Sequence, residues 1–398
     1  MKTFYVISHP QSSSILTDED AKEADGSDDY NRPRQRQSII LSTLRRKYMR
    51  GTDGDDASSR SFCIQSPTCK VESIVETYSS VHCSEMLKFL RDSWESWVTL
   101  GPEGRDPGSF HPSFFVAEDK NLQSTVPPLV PSQVALHRDF KSQRAGNNVM
   151  GQIGYYCTDL LTPIVSTLRE EMEWDAAVVR MALDKLISEE SNGSYAVTIH
   201  PGHHASYESF GGYCYVNHAA MSARYLQQHG HAKVAVLDVD YHAGNGTIST
   251  FYSDPSVLVI SIHCDPDYEY PFNSGFADQT GSGDGEGATL NIPLPPGVTF
   301  DNAYREALVN AVHTITEFGA SAMVVSLGLD THGEDEIATR RAGFKLKNED
   351  YWIMGNIIGK DNGKIPTIFI QEGGYNMDVV GEAACDVIAG FHSGQCDD

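Results

Sequence analysis

Four short stretches of this chain carry side chains that could do chemistry together. AKVAVLDVDYHAGNGT, residues 232–247, ends a run of small and branched apolar residues with Asp238, Asp240 and His242. HPGHH, residues 200–204, sets His203 and His204 side by side after an apolar run from Tyr195 to Ile199. SLGLD, residues 326–330, closes on Asp330, and EGGYN, residues 372–376, presents Tyr375 behind paired glycines. Asp240 and His242 alternate, so in extended chain their side chains leave the same face. Unpaired buried carboxylates are costly; an oxygen and an imidazole converging there can instead hold a divalent metal such as zinc. Asp240, His242 and Asp330 would give three ligands and leave positions open for water and a substrate carbonyl. Zinc lowers the pKa of its water and polarises the carbonyl. A histidine can take the water proton and return it to a leaving amine. A tyrosine hydroxyl can donate to the oxyanion. Asp238 is placed to orient a histidine or to hold a second cation. Taken singly, a histidine or tyrosine most often just packs in a core; their concurrence after apolar runs points to a metal-dependent hydrolase.

The elements that must position these residues follow from periodicity. The 232–239 run reads as a strand buried on both faces, as in a parallel sheet, and Gly244-Asn245-Gly246 breaks it. Further strands are expected at Phe4–Ile7, Lys70–Val75, Tyr195–Ile199, Ser256–Ile262, Ala322–Leu327 and Ile365–Ile370. Helices are expected at Gln35–Tyr48, opened by Pro33, at Cys83–Trp97, late in 155–185, at Val216–Gln228, at Asp301–Phe318, at Glu349–Ile358 and at Val379–Phe391. In the 301–318 helix Ala307, Val309, Val312 and Ile315 are expected to face inward. Strands alternating with helices imply an α/β fold, one mostly parallel sheet with helices on both faces. Ligands gather at the carboxyl ends of strands in such sheets. No internal repeat or clean linker divides the chain, so one domain over 1–398 is expected. Residues 16–32 are acidic and poor in apolar side chains, the pattern of an exposed loop. Residues 100–135 are rich in glycine, proline and aromatics, Phe110, Phe114 and Phe115 among them, which suits an ordered functional loop.

Composition narrows the partners. The chain has 398 residues, 54 Asp and Glu against 30 Lys and Arg, and a formal net charge of −24. Nucleic acid is not expected, because phosphate binding needs a basic footprint; Arg45-Arg46-Lys47 reads as the basic end of a helix. A cationic small molecule or basic peptide would be attracted, although most of the acidic charge serves solubility. The 8 cysteines form no C-x-x-C pair and read as reduced thiols of a cytoplasmic protein. The apolar run after Met1 is too short for a signal segment, and no stretch reaches membrane-spanning length.

HPGHHA, GGYCYVNHA, VLDVDYHAGNGT, SIHCDP, SLGLDTH and EGGYN together resemble the histone deacetylase superfamily. MKTFYVISHP, GYYCTDLLTPI and FADQTGSGDGEGATLNIPLPPG are closer to its acetylpolyamine amidohydrolase branch. The resemblance runs from Met1 to about Phe391, and the ordered set of motifs is far more specific than any one of them. It implies the arginase-deacetylase fold, and one zinc per chain on Asp240, His242 and Asp330. It implies His203 and His204 as the tandem histidines, with His204 the general base and acid, and Tyr375 as the oxyanion donor. Asp238 then stands behind His203 and Asn245 behind His204; Asn there is similar to the amidohydrolase branch, where many histone deacetylases have Asp. A structural potassium is implied at Asp238, Ser261 and the carbonyls of Asp240, His242 and Ile262, and a second at Phe251, Asp254 and Val257. Gly212, Tyr213 and Tyr270 match the walls of a tunnel that suits an aliphatic stem. Asp159 matches an acidic residue at the mouth, with Glu103, Glu118 and Asp119 as further candidates. An insertion at about 100–130 is expected to narrow the mouth and build a homodimer. Ala243 stands where the family usually has a second histidine.

The expected activity is removal of an acetyl group from the amine of a small cationic substrate, acetylpolyamine first, with protein acetyl-lysine as the alternative. A ureohydrolase with two manganese ions would need D-x-H-x-D and D-x-D, where this chain has DYHAG and DTH. An inactive acyl-lysine binding module should have lost a ligand, a tandem histidine or the tyrosine, and none is missing.

Overall fold

The computed structural model describes residues 2–10, 32–48, 62–100, 129–131, 144–336, 338, 343–362 and 365–396. Its strands are β1 (Phe4–Ser8), β2 (Phe62–Gln65), β3 (Gly193–Val197), β4 (Val234–Asp238), β5 (Val257–Cys264), β6 (Thr289–Leu294), β7 (Ala322–Leu327) and β8 (Thr367–Gln371). Its main helices are α1 (Arg32–Tyr48), α2 (Ile74–Tyr78), α3 (Ser84–Thr99), α4 (Val149–Tyr156), α5 (Leu168–Ile187), α6 (His218–Gln228), α7 (Asn245–Phe251), α8 (Arg305–Phe318), α9 (Asn348–Asn362) and α10 (Val380–Gly394). The strands form one eight-stranded sheet in the order β2-β1-β3-β8-β7-β4-β5-β6. Every pair is parallel.

A parallel sheet must be covered on both faces, because its crossovers put helices there. Alternation along each strand divides the core accordingly. Ala235 and Leu237 of β4, Ile260 of β5, Val325 of β7 and Phe369 of β8 pack with residues of α1, α8, α9 and α10. Val234 and Val236 of β4, Val259 of β5, Val324 of β7 and Ile368 of β8 pack with α3, α5 and α6 on the other side. Two such layers on one sheet match the α/β architecture expected from the sequence.

Three local expectations are corrected. Lys70–Val75 is not a strand. Ser73 caps α2 by accepting from the backbone N–H of Glu76, a Ser-x-x-Glu helix start that hides inside an apolar stretch. The second strand is instead Phe62–Gln65. β6 was not expected, since Pro293 interrupts its apolar pattern; β6 is an edge strand, where a missing N–H is tolerated. In α8, Val309 is exposed, while Ala307, Leu308, Ala311, Val312 and Ile315 face the core. The helix enters through a π-helical turn, Phe300–Tyr304, which shifts the phase from that of an uninterrupted helix. Residues 16–31 and most of 100–135, with Glu103, Phe110, Phe114, Phe115, Glu118 and Asp119, lie outside the described residues.

A buried ionic cluster ties α5 to the loop that follows β3. Asp175 accepts from the backbone N–H groups of Ile199 and His200 at 2.7 and 3.1 Å. Glu171 meets His200 Nε2 at 2.8 Å and the Arg34 guanidinium of α1. Burial opposes the charge of Glu171, but His200 and Arg34 outweigh it and hold the carboxyl at about 2 against an ordinary 4.5. A depressed carboxyl pKa contributes stability above the unfolded value and loses it as pH falls toward the folded one. Glu171→Gln should therefore be less stable than wild type by on the order of 2–3 kcal/mol at neutral pH, and the gap should close between pH 4.5 and about 2. Denaturant melts across that window check this; parallel curves for the two proteins would refute it.

Candidate active site

Strand register gathers the chemistry at one end of the sheet. Asp238, the last residue of β4, pairs with Ser261 of β5 and Ser326 of β7. Leu327 of β7 pairs with Gln371 of β8. Residues just past these strand ends, 240–242, 328–330 and 372–375, therefore converge, and the 200–204 turn beyond β3 joins them.

Asp240, His242 and Asp330 offer ligand atoms that lie within 4.8 Å of one another. His242 Nδ1 is 3.2 Å from Asp240 Oδ1 and 3.2 Å from Asp330 Oδ2. The backbone fixes the remaining oxygens: Gly373 N–H donates to Asp240 Oδ2 at 2.9 Å and Tyr241 N–H to Asp330 Oδ1 at 3.0 Å. Asp330 Oδ2 is buried and makes no hydrogen bond; His242 is in ion-pair range of it but out of line. A Cβ at Gly373 would fall 2.6 Å from Asp240 Oδ2, so only glycine lets that backbone approach. Two fully buried carboxylates, one with an orphaned oxygen, and a facing imidazole form a donor set that fits a divalent cation and is costly without one.

The tandem histidines are held differently. His203 Nδ1 donates to Asp238 Oδ2 at 2.9 Å. Burial opposes its charge, yet the carboxylates of Asp238 and Asp240 prevail and raise its pKa to about 10. His204 Nδ1 lies 2.7 Å from Asn245 Oδ1. That amide oxygen only accepts, so Nδ1 carries the proton and Nε2 keeps its lone pair. Burial, followed by the positive charges of His203 and His242, pushes the pKa of His204 well below its ordinary value. The two imidazoles, tilted at 41° with ring centres 3.9 Å apart, are thus shifted in opposite directions, His203 toward the charged form and His204 toward the neutral one.

Aromatic groups enclose the histidines. The Tyr270 ring meets His204 edge-on at 4.8 Å, and Tyr213 and Tyr375 face each other at 6.5 Å. Burial raises the Tyr375 pKa well above normal, with the negative charge of Asp330 next in weight, so its phenol remains a donor. Gly212 has φ 57, and a Cβ there would drive into the His204 ring. The same loop places Tyr213 at φ 64, a strained conformation for a side chain of that size.

The histone deacetylase domain family matches residues 32–391. The chain belongs to the histone deacetylase family. Among curated relatives it is 35% identical over 320 residues to the acetylpolyamine amidohydrolase of Mycoplana ramosa, covering 79% of this chain and 83% of that protein. It is likewise 35% identical over 321 residues to acetylpolyamine amidohydrolase 2 of Pseudomonas aeruginosa, covering 80% and 83%. The crystal structure of acetylpolyamine aminohydrolase from Burkholderia pseudomallei superposes with a TM-score of 0.76, covering 98% of this chain and 99% of that one at 24% identity. This last likeness establishes the shared fold. The chain is therefore a deacetylase-family hydrolase.

Other sequence expectations meet this deacetylase as follows. Asp159 does not present a spare carboxylate. Oδ1 accepts from the N–H groups of Leu161 and Thr162, both at 2.7 Å, and Oδ2 from the Thr162 hydroxyl and the Gly212 N–H at 2.9 and 2.6 Å. Thr162 in turn accepts from the Tyr213 N–H at 3.0 Å. Asp159 thus holds the Gly212–Tyr213 loop. Asp238 and Ser261 sit side by side through strand register, and Ile262 follows in β5. At the second expected potassium site, Phe251 O accepts from Asp254 N–H at 2.9 Å, Val257 begins β5, and the Asp254 carboxylate pairs with Arg224 at 2.7 Å. Ala243 is fully buried. A Cβ at Gly275 would lie 2.7 Å from both Ala243 Cβ and His263 Nε2, so the imidazole of His263 shares the space around this alanine.

Three supporting residues escaped sequence reasoning. Asp335 accepts from the N–H groups of Tyr375 and Asn376 at 2.7 and 3.2 Å. Glu372 accepts from those of Gly202 and His203 at 2.6 and 3.1 Å. Arg36 of α1, almost wholly buried, donates to Gly374 O and Ile199 O at 3.2 and 3.1 Å and lies 5.8 Å from the Tyr375 ring centre. The available hint was an acidic residue beside each quoted motif, Glu372 in EGGYN and Asp335 just past SLGLDTH. No sequence signal connects Arg36 to the site.

Proposed function

We propose that the chain is a zinc-dependent amidohydrolase that removes the acetyl group from acetylated polyamines. The observation that carries this is the buried set Asp240, His242 and Asp330 beside two adjacent histidines, one held by Asp238 and the other by Asn245. Zinc held by these three residues would supply a Lewis acid at the acyl group. His204, neutral with Nε2 free, takes the proton of the attacking water and returns it to the leaving amine. His203 remains cationic against Asp238 and stabilises negative charge developing at the centre. The Tyr375 hydroxyl donates to the acyl oxygen as it gains charge. Tyr213, Tyr270 and Gly212 line the route for a thin aliphatic stem. The potassium sites at Asp238–Ser261–Ile262 and at Phe251–Asp254–Val257 belong to the same reading and would be structural. So do a single domain, the mouth-narrowing insertion at 100–130, a homodimer and a cytoplasmic setting; among the described residues no helix is long and apolar enough to cross a membrane.

Substrate choice follows from charge and from the named relatives. A polyamine carries further ammonium groups, while an acetyl-lysine carries a peptide backbone. A net charge of −24 attracts the former, with salt screening the long-range part. The relatives named acetylpolyamine amidohydrolase align over 79% and 80% of this chain at 35% identity. The test is kcat/KM for an acetylated polyamine and for an acetyl-lysine peptide. The polyamine should be preferred, by at least roughly the tenfold that 1.4 kcal/mol represents. A preference for the peptide would make this a protein deacetylase. Asp159→Asn should lower kcat on both substrates alike, since its carboxylate positions the Gly212–Tyr213 loop; a loss confined to the polyamine would restore Asp159 to an ammonium contact.

A further inference from the structure

Behind the tandem histidines lies a second donor set. A ring nitrogen of His203, Sγ of Cys214 and a carboxylate oxygen of Glu372 fall within 4.8 Å of one another. All three residues are buried. Asp238 engages His203 Nδ1, so Nε2 is the nitrogen left for a cation. Glu372 commits Oε2 to the backbone N–H groups of Gly202 and His203, while its Oε1 is buried without a hydrogen-bond partner. An acidic oxygen left bare in the interior is a cost that the fold normally avoids. That bare oxygen is an observation independent of the clustering. It points the same way, to an oxygen with room for a ligand bond. The Cys214 thiol makes a long contact to Gly212 O, at 3.5 Å, and also meets the backbone of His204.

We propose that His203, Cys214 and Glu372 form a second, inhibitory site for a thiophilic divalent cation such as Zn2+ or Cd2+. Thiolate, imidazole and carboxylate together match the ligand preferences of zinc-like ions, and the sulfur sets this site apart from the all-oxygen-and-nitrogen set of Asp240, His242 and Asp330. On binding, the Cys214 S–H proton leaves to solvent and a sulfur lone pair forms the bond to the cation. Glu372 binds as its carboxylate through Oε1. His203 contributes the Nε2 lone pair and so gives up one proton as well. Its Nε2 stands 3.8 Å from Asp240 Oδ1, facing the reaction centre. A cation that captures this nitrogen takes the His203 ring out of the chemistry. Binding depends only on the donor set, whereas inhibition also rests on the role given to His203 in amide hydrolysis.

The experiment uses the full chain carrying one zinc and titrates it with Cd2+ alone. Three quantities are read: bound metal per chain, the near-ultraviolet thiolate-to-metal charge-transfer band, and amide turnover. Wild type should bind a second equivalent, develop the band and lose turnover by roughly 100-fold, the scale of one positioned acid or base. Cys214→Ala should keep its basal turnover and first metal, bind no second equivalent, lack that increment of the band and resist inhibition. Cys214→Ser provides the same test in a side chain of nearly equal size, should the alanine cavity disturb folding. Inhibition of the cysteine variants at the same Cd2+ concentration as wild type, or a second equivalent bound without the band, would overturn the proposal. The band and stoichiometry are read without substrate. If both appear in a protein that hydrolyses no acetylated amine, the second site stands and the proposed function falls.

Discussion

Asp240→Ala should lose its zinc and its turnover together. Asp240 supplies one of three donors within a 4.8 Å group, and its two oxygens are already aligned by the N–H groups of His242 and Gly373. Removing the carboxylate takes away a ligand and leaves those aligned donors facing a void. It also removes one of the three carboxylates, with Asp238 and Glu372, that raise the pKa of His203. Changing an outer partner of a metal ligand typically costs roughly 10–100-fold in affinity or activity, so losing a ligand itself should exceed about 100-fold in both. Metal analysis after desalting, with kcat on the same sample, checks this. A variant that retains stoichiometric zinc and normal turnover would remove Asp240 from the metal set.

Tyr375→Phe is expected to separate chemistry from metal binding. The phenol is a donor held by its loop: Asp335 fixes its backbone N–H, and Arg36 braces Gly374 before it. The substitution deletes the hydroxyl and keeps the ring, so zinc content and fold should be unchanged. Loss of one donor to a developing oxyanion typically costs on the order of 100–1,000-fold in kcat. The drop should appear in kcat more than in KM, because that donor acts on charge present only in the transition state. Unchanged kcat in a zinc-loaded variant would reduce Tyr375 to a packing residue.

Much of the site could be read from the chain because its side chains sit just past apolar strands. A buried run ending in Asp238-Val239-Asp240 contradicts its own surroundings, and that contradiction is what marks a site. The central strands β3, β4, β5, β7 and β8 were legible because burial on both faces leaves unbroken apolar runs. The edges were not. β6 tolerates Pro293, and β2 is only half-buried, so neither shows the pattern of a central strand. The groups that escaped are those whose partners are remote in sequence. Asp335 reaches Tyr375 across 40 positions, and Arg36 reaches Gly374 across 338; closure of the sheet, not local pattern, brings them together. Asp159 shows how structure adds a second role to a residue read from sequence. An acidic residue near the mouth suggests a cation contact, yet four internal donors already claim its oxygens.

The most direct measurement is release of acetate from an acetylated polyamine by the purified protein, first stripped of metal with a chelator and then given one equivalent of zinc per chain. The stripped protein should be inactive. Activity should return in proportion to zinc and level off at one equivalent. Acetate release that persists without metal, or no release on any acetylated amine at one zinc per chain, would contradict the account.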